Sequence, residues 1–263
     1  MDDSFVHKQD KANPLYPDLI WSRPESKMHA GKLLIVGGNL HGFTAPAECY
    51  NEAESAGAGA IRVIMPDKLR PIISKIFPSA DYTASNHSGA FASQSLAEII
   101  SEISWANMTL LAGDFGHNSE TSIVIEKILE SKVALVLSGD SIDSFLLSPR
   151  NLVNRPNILI VTSFSKLQKI TTNLRLEKPL TSNMDQLHLH LALNNLTVKY
   201  PPIIALIHDN KVFIAYKGKV SVTSVTKDAN LENKISAHAS VWWMQNPEKI
   251  FEAITSSVID FAI

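Results

Sequence analysis

Three short glycine-containing segments hold the residues best placed to do chemistry. The first is Gly37-Gly38-Asn39-Leu40-His41-Gly42-Phe43-Thr44-Ala45-Pro46. Glycines directly after an apolar run let the backbone approach a ligand, and a helix beginning just beyond would offer unpaired N–H groups to an anion. The same glycines also suit a plain strand-to-helix turn, and the segment alone does not separate the two. It is not the GxGxxG pattern of dinucleotide sites, and no GxxxxGK[ST] loop occurs. The second segment is Gly113-Asp114-Phe115-Gly116-His117, where Asp114 could accept a ribose or other hydroxyl hydrogen bond, or simply cap a turn. The third is Ser138-Gly139-Asp140-Ser141, with the same two readings for Asp140. The nine histidines add little. His188 and His190 lie two apart in a predicted helix and so point to different faces. No Cys/His/Asp set has zinc spacing, and no metal site is expected. No Gly-x-Ser-x-Gly elbow is present. Cys49, within a helical stretch, reads as a buried structural thiol rather than a nucleophile.

The elements that must position these segments alternate in type. Lys32–Val36 is a continuous apolar run, as expected for a parallel strand covered on both faces. A helical pattern follows from about Ala45 to Ala56, then Gly57-Ala58-Gly59 and a second strand over Ala60–Met65. Further strands are expected at Met108–Ala112, Val133–Leu137, Asn157–Val161 and Ile203–Ile207. Helices are expected at Ser95–Ile103, Ser119–Glu130 (capped by Asn118 or Ser119) and Met184–Leu193. Asp209-Asn210 marks a turn into hairpin strands within residues 211–226. Pro247–Ile263 reads as one terminal helix. Strands that each end in a glycine-containing loop make a mostly parallel, doubly wound sheet with helices on both faces, an α/β/α arrangement. Ligands bind such sheets beyond the carboxyl ends of the strands, where all three segments fall. Residues 1–29, polar and punctuated by Pro14, Pro17 and Pro24, read as an extended N-terminal arm, and 30–263 as a single domain.

Composition narrows the class. At 263 residues and 45% hydrophobic content, the chain can bury one large core. With 24 basic and 26 acidic residues it shows no electrostatic footprint for nucleic acid or an anionic membrane. No apolar stretch is long enough to cross a bilayer. Met1-Asp2-Asp3-Ser4 does not open a signal peptide, and a single cysteine forms no internal disulfide. A cytoplasmic protein without nucleic-acid or membrane partners is expected.

The stretch from Gly31 to Pro66, GKLLIVGGNLHGFTAPAECYNEAESAGAGAIRVIMP, resembles the opening of the NAD(P)H-hydrate dehydratase family of the ribokinase-like superfamily. That family has a strand ending in Gly-Gly-Ser, a Gly-Ala-Pro segment, a helix and a Gly-Ala-Gly turn. The matching pieces are Gly37-Gly38-Asn39, Thr44-Ala45-Pro46 and Gly57-Ala58-Gly59. Residues 111–116, 137–142 and 161–164 agree more loosely with later family loops, so the resemblance spans roughly residues 25–225. It implies a ribokinase-like fold and a substrate-side pocket lined by Gly38, Asn39, Ala45, Pro46, Asp114, Gly116 and Asp140. It further implies a nucleotide-like ligand, ATP or ADP with Mg as cofactor, and a homo-oligomer. Family members eliminate water from hydrated NADH or NADPH at the expense of ATP or ADP. The aspartate of a Gly-Gly-Ser-Gly-Asp motif serves as base, and the N–H groups of that loop, at a helix N-terminus, form an anion hole.

The chain departs from the family where that motif belongs. Lys234–Trp243 contains neither Gly nor Asp, and residues 219–263 contain no Gly at all. Ile207-His208 replaces a family Lys-Gly, and Thr162-Ser163-Phe164 a Thr-Pro-His. His238 is a weak stand-in for the base and would lack an anion hole; a core-edge histidine is the plainer reading. Trp242 and Trp243 read as packing or interface residues. The expected function is a divergent, catalytically impaired or inactive relative that keeps its substrate-side pocket. The alternatives are an active ATP- or ADP-dependent dehydratase or a related small-molecule kinase. A helix N-terminus facing the pocket near 234–243 would help to separate these.

Overall fold

A computed structural model of the chain describes residues 5–143, 155–175, 180–181 and 184–262. The strands are β1 (Val6–Gln9), β2 (Lys32–Gly37), β3 (Ala60–Pro66), β4 (Ala80–Thr83), β5 (Met108–Ala112), β6 (Ala134–Leu137), β7 (Ile158–Ser163), β8 (Ile203–His208), β9 (Lys211–Tyr216) and β10 (Lys219–Ser224). They form one ten-stranded sheet in the order β1-β10-β9-β8-β7-β6-β5-β2-β3-β4. Only β9 runs against the rest: its pairings with β8 and β10 are antiparallel and all others are parallel.

The helices are α1 (Pro17–Trp21), α2 (Thr44–Ser55), α3 (Arg70–Ile73), α4 (Leu96–Trp105), α5 (Ser119–Leu129), α6 (Phe164–Asn173), α7 (Gln186–Lys199), α8 (Leu231–Gln245) and α9 (Ile250–Ser257). Side chains alternate across each strand, and the two faces bury separate clusters. Leu33, Ile35, Val63 and Leu110 pack against Cys49 of α2, Ile235 and Ala239 of α8 and Ile254 of α9. Leu34, Val36, Leu111 and Ile160 pack against Ile99 of α4, Val124 of α5, Leu167 of α6 and Leu193 of α7. Burial on both faces explains the unbroken apolar run of β2, in which Leu33–Val36 are fully buried.

The α/β architecture matches expectation, with three differences in its elements. First, the segment expected as an extended arm carries β1 and α1 and shares the core. β1 pairs with β10, Gln9 is buried with Nε2 donating to the Thr255 carbonyl at 2.7 Å, and Leu19 packs on Trp242 and Ala253. Second, the terminal helix is shorter than expected: α9 covers Ile250–Ser257, followed by a 3-10 turn over Val258–Asp260. Third, the region after the hairpins is the long helix α8. It is buried on nearly every side, including Ser236, His238 and Ser240, so no amphipathic period marks it in the sequence. Among the described residues no helix is long and apolar enough to cross a membrane.

From β2 the sheet grows to β3 and β4 on one side. The chain then returns to place β5, β6, β7 and β8 on the other. β2 and β5 therefore flank the topological switch point, and the crevice beyond their carboxyl ends is the natural ligand position.

Candidate functional site

The loop after β2 is shaped by contacts that tolerate no side chain. A methyl on Gly37 would lie 2.0 Å from the Ala112 carbonyl oxygen of β5. Beyond it, Asn39 and Gly42 exchange backbone hydrogen bonds at 3.0 and 3.2 Å. The Asn39 side chain accepts the His41 N–H at 2.8 Å. α2 starts at Thr44 with no side-chain cap and with Ala45 and the buried Pro46 in its first turn. The segment after β4, which sequence reading did not single out, folds over this loop. The Leu40 N–H donates to the Gly89 carbonyl at 3.0 Å, and Asn86 donates through Nδ2 to Asn118 Oδ1 at 2.9 Å.

The loops after β5 and β6 complete the site. Gly139 adopts a left-handed φ of 61°, and a methyl there would lie 2.4 Å from the Gly113 carbonyl oxygen, so the two loops touch through backbone. The Asp140 N–H donates to that carbonyl at 3.0 Å. Asp114 turns back to accept the Gly116 N–H at 2.7 Å. Lys166, from α6, donates to the Gly139 carbonyl at 2.7 Å and lies 4.0 Å from Asp140 and 3.8 Å from Asp143. His117, largely exposed, lies 4.0 Å from Asp140.

Asp114 and Asp140 lie close enough to influence each other, and their surroundings push them in opposite directions. Burial pushes Asp140 upward, and the hydrogen bond and charge of Asp114 push the same way, against the pull of Lys166 and His117. Burial would raise Asp114 as well, but the Gly116 N–H, the Asn39 amide and the Asp140 side chain outweigh it and hold the Asp114 carboxyl below the usual range. Two carboxyls side by side, with the Asn39 amide, can meet hydroxyl groups.

The structure thus brings Gly38, Asn39, Ala45, Pro46, Asp114, Gly116 and Asp140 together at the switch point. Comparison with known proteins bears on the scaffold that carries them. No family model matches the chain, and no curated protein matches it. Solved structures do. A ribokinase-like superfamily protein from Enterococcus faecalis V583 superposes with a TM-score of 0.76 at 15% identity, over 98% of this chain and 87% of that one. The fold is ribokinase-like. A hypothetical protein from Streptococcus mutans gives 0.72 at 17% identity, covering 95% and 87%. An ADP/ATP-dependent NAD(P)H-hydrate dehydratase from Bacillus subtilis, co-crystallised with ATP/Mg2+, gives 0.65 at 13% identity, covering 94% and 86%.

His238 does not join the other candidates in this ribokinase-like scaffold. It sits in the middle of α8, 4% exposed. Its Nε2 faces Glu52 and its Nδ1 faces Asp260, each at 3.2 Å, and Phe261 meets the ring edge-on. Asp260 also accepts Trp242 Nε1 at 2.6 Å and pairs with Arg23, whose guanidinium lies over the Trp242 ring. These contacts tie α2, α8 and the N-terminal segment together, which is a structural duty. Cys49 is equally removed from chemistry: it is fully buried, and burial, reinforced by Glu48, Glu232 and Glu52, pushes its thiol far above the ordinary range.

A helix N-terminus does reach the site, but upstream of the stretch where sequence reading sought it. α8 begins at Leu231, after Lys227-Asp228-Ala229-Asn230. Carboxylates stand at this start. Glu232, in the first turn, accepts the Gly139 N–H at 2.7 Å, and Asp228, just before the helix, accepts the Asn230 N–H at 2.8 Å and pairs with Lys234 at 2.6 Å. Beside this start lies an open cleft of about 680 Å³, bordered by Ser163, Phe164, His208, Asp209, Lys227 and Asp228. The Phe164 and His208 rings stack there at 4.7 Å. Sequence reasoning missed Lys166 and Glu232. Nothing local marks either one, because their partner, Gly139, is 27 and 93 residues away.

Proposed function

We propose that this chain is a ligand-binding member of the ribokinase-like fold that does not carry out ATP- or ADP-driven elimination of water, the activity named for the Bacillus subtilis neighbour. One observation carries the reading: the Glu232 carboxylate on the Gly139 N–H at the start of α8. Phosphoryl transfer depends on donors and positive charge preorganised around the moving phosphate. Here the positive end of α8 meets its own carboxylates. A phosphate placed there would face Glu232 and Asp228. With those carboxylates at the start of α8, the residues present do not fit the phosphate end of a nucleotide, and no step is assigned to it.

What remains is the loop cluster at the switch point, with Asp114 and Asp140, and the cleft beside the stacked Phe164 and His208. Together they support binding of a nucleotide-like ligand. The test is to incubate the protein with hydrated NADH and either ATP or ADP and follow NADH absorbance, while measuring melting with each compound alone. The expected result is no nucleotide-dependent recovery of NADH, with a rise in melting temperature on adding the hydrate. Recovery that requires ATP or ADP would overturn the reading.

A further inference from the structure

The β1 edge of the sheet carries two lysines without an acidic partner. Lys8 lies on β1 and Lys211 opens β9, one on each side of β10. The register puts Lys8 beside Val222 and Lys211 beside Ser224. Paired residues on neighbouring strands share a face, and so do residues two apart on one strand. Lys8, Val222, Ser224 and Lys211 therefore project from a single face. It is the face covered by α7, because Val222 and Phe213 share a cluster with Leu189 and Leu193. Gln186, the first residue of α7, closes the group: Lys211 Nζ donates to its Oε1 at 3.2 Å, so the amide's N–H groups remain to donate. Lys8, Lys211, Ser224 and Gln186, with Asp10 and Asn13, line a cleft of about 310 Å³.

The charge in this cleft is not neutralised from within. The lysine ion pairs among the described residues belong to Lys127, Lys166, Lys219 and Lys234, not to Lys8 or Lys211. The nearby carboxylates are engaged elsewhere. Asp10 accepts the Asn13 N–H at 2.7 Å and Asn13 Nδ2 at 3.1 Å. Asp185 accepts the His188 N–H and faces the His188 ring, both at 2.8 Å. Two strand spacings put the lysine stems roughly 10 Å apart across β10, with Ser224 between them. The donors left over are two ammonium groups, one hydroxyl and one amide, from four separate elements. A planar carboxylate offers two oxygens to such a set, whereas a phosphate offers oxygens in every direction and up to two negative charges. We propose that Lys8, Lys211, Ser224 and Gln186 form a site for a phosphate group, free or at the end of a small phosphomonoester. The cleft has room for phosphate and a few attached atoms. Occupied, it would tie β1 to β9 and α7, so phosphate would also stabilise the fold. The site is independent of the switch-point loops, since five strands separate β10 from β2.

The test is an NMR titration of the full chain with inorganic phosphate, glycerol 3-phosphate and succinate, at an ionic strength held constant with KCl so that screening does not vary. Phosphate is expected to shift the amide signals of Lys8, Gln186, Lys211 and Ser224, and to bind more tightly than succinate. Lys8→Gln and Lys211→Gln should each weaken phosphate about tenfold, the loss of one charge-assisted hydrogen bond, while Lys8→Arg should keep most of the affinity. Lys8 is exposed and Lys211 half-buried, so both variants are expected to fold; melting curves without phosphate check this. If Lys8→Gln loosens β1, Lys211→Gln decides alone, because β9 lies inside the sheet. Tighter binding of glycerol 3-phosphate than of phosphate would support the site and mark its ligand as a phosphomonoester; equal or weaker binding would support it as a site for free phosphate. Absence of shifts at these four residues up to about 10 mM phosphate, well above a millimolar dissociation constant, would overturn the proposal. So would succinate binding as tight as phosphate, or a phosphate affinity unchanged in Lys211→Gln.

Discussion

Glu232→Ala is the substitution that most directly tests how the start of α8 is held. The side chain leaves the first helical turn and accepts the Gly139 N–H at 2.7 Å, joining α8 to the loop after β6. A charge-assisted bond of this kind is worth roughly 1.5–3 kcal/mol. A carboxylate at a helix start adds about 0.3–1 kcal/mol. The loss is then about 2–4 kcal/mol, and at about 2–4 °C per kcal/mol for a domain of this size the melting temperature should fall by roughly 5–10 °C. Glu232→Gln keeps an acceptor and loses the charge, so about half that fall is expected. Thermal unfolding followed by circular dichroism at neutral pH measures both. Repeating it with millimolar ATP addresses function, since removing the carboxylate should make the variant the more nucleotide-stabilised form. The reasoning fails if Glu232→Ala melts within a degree of wild type, if Glu232→Gln is as damaging as Glu232→Ala, or if wild type shows the larger ATP shift.

Two other outcomes follow from the geometry. Asp140 is pushed upward by burial and by Asp114, so the native state binds its proton more tightly than the unfolded chain does. That contribution is complete below the unfolded carboxyl range and is lost as pH rises through the raised folded value. Asp140→Asn should therefore melt higher than wild type at pH 7, with the gain vanishing below a pH of about 4; a gain constant over a melting series from acid to neutral pH would contradict a raised Asp140. His238→Ala should cost about 3 kcal/mol by urea unfolding, because it takes from Glu52 its ring partner and from Asp260 one of three, while leaving the melting shift with hydrated NADH unchanged; loss of that shift in a folded variant would return His238 to the site.

The sequence made the sheet legible where burial on both faces forces runs such as Leu33–Val36, and it made the loops legible because Gly37 and Gly139 answer to backbone contacts that exclude a side chain. Chain order then placed the loops after β2, β5 and β6 at one end of a parallel sheet, which is why Asn39, Asp114 and Asp140 meet. α8 was hidden for the opposite reason. A helix packed against α2, α9 and the sheet has no polar face to give it a period. β1 was hidden because a four-residue edge strand, VHKQ, buries little besides Gln9. Lys166 and Glu232 act through Gly139, and a carboxylate or ammonium that finds its partner only in the folded chain leaves no mark on its own neighbourhood.

The pairing of β1 with β10 bears on the order in which the chain can assemble. Gln9 meets Thr223, 214 positions further along. During synthesis residues 6–9 emerge some two hundred residues before their partner strand. Until β10 exists β1 has no neighbour, and joining them closes a loop almost as long as the protein. Contacts this remote form late. A segment made before β2–β10 is therefore among the last to settle. In the interval the backbone of Val220–Thr223 presents an open edge to any extended peptide that arrives first.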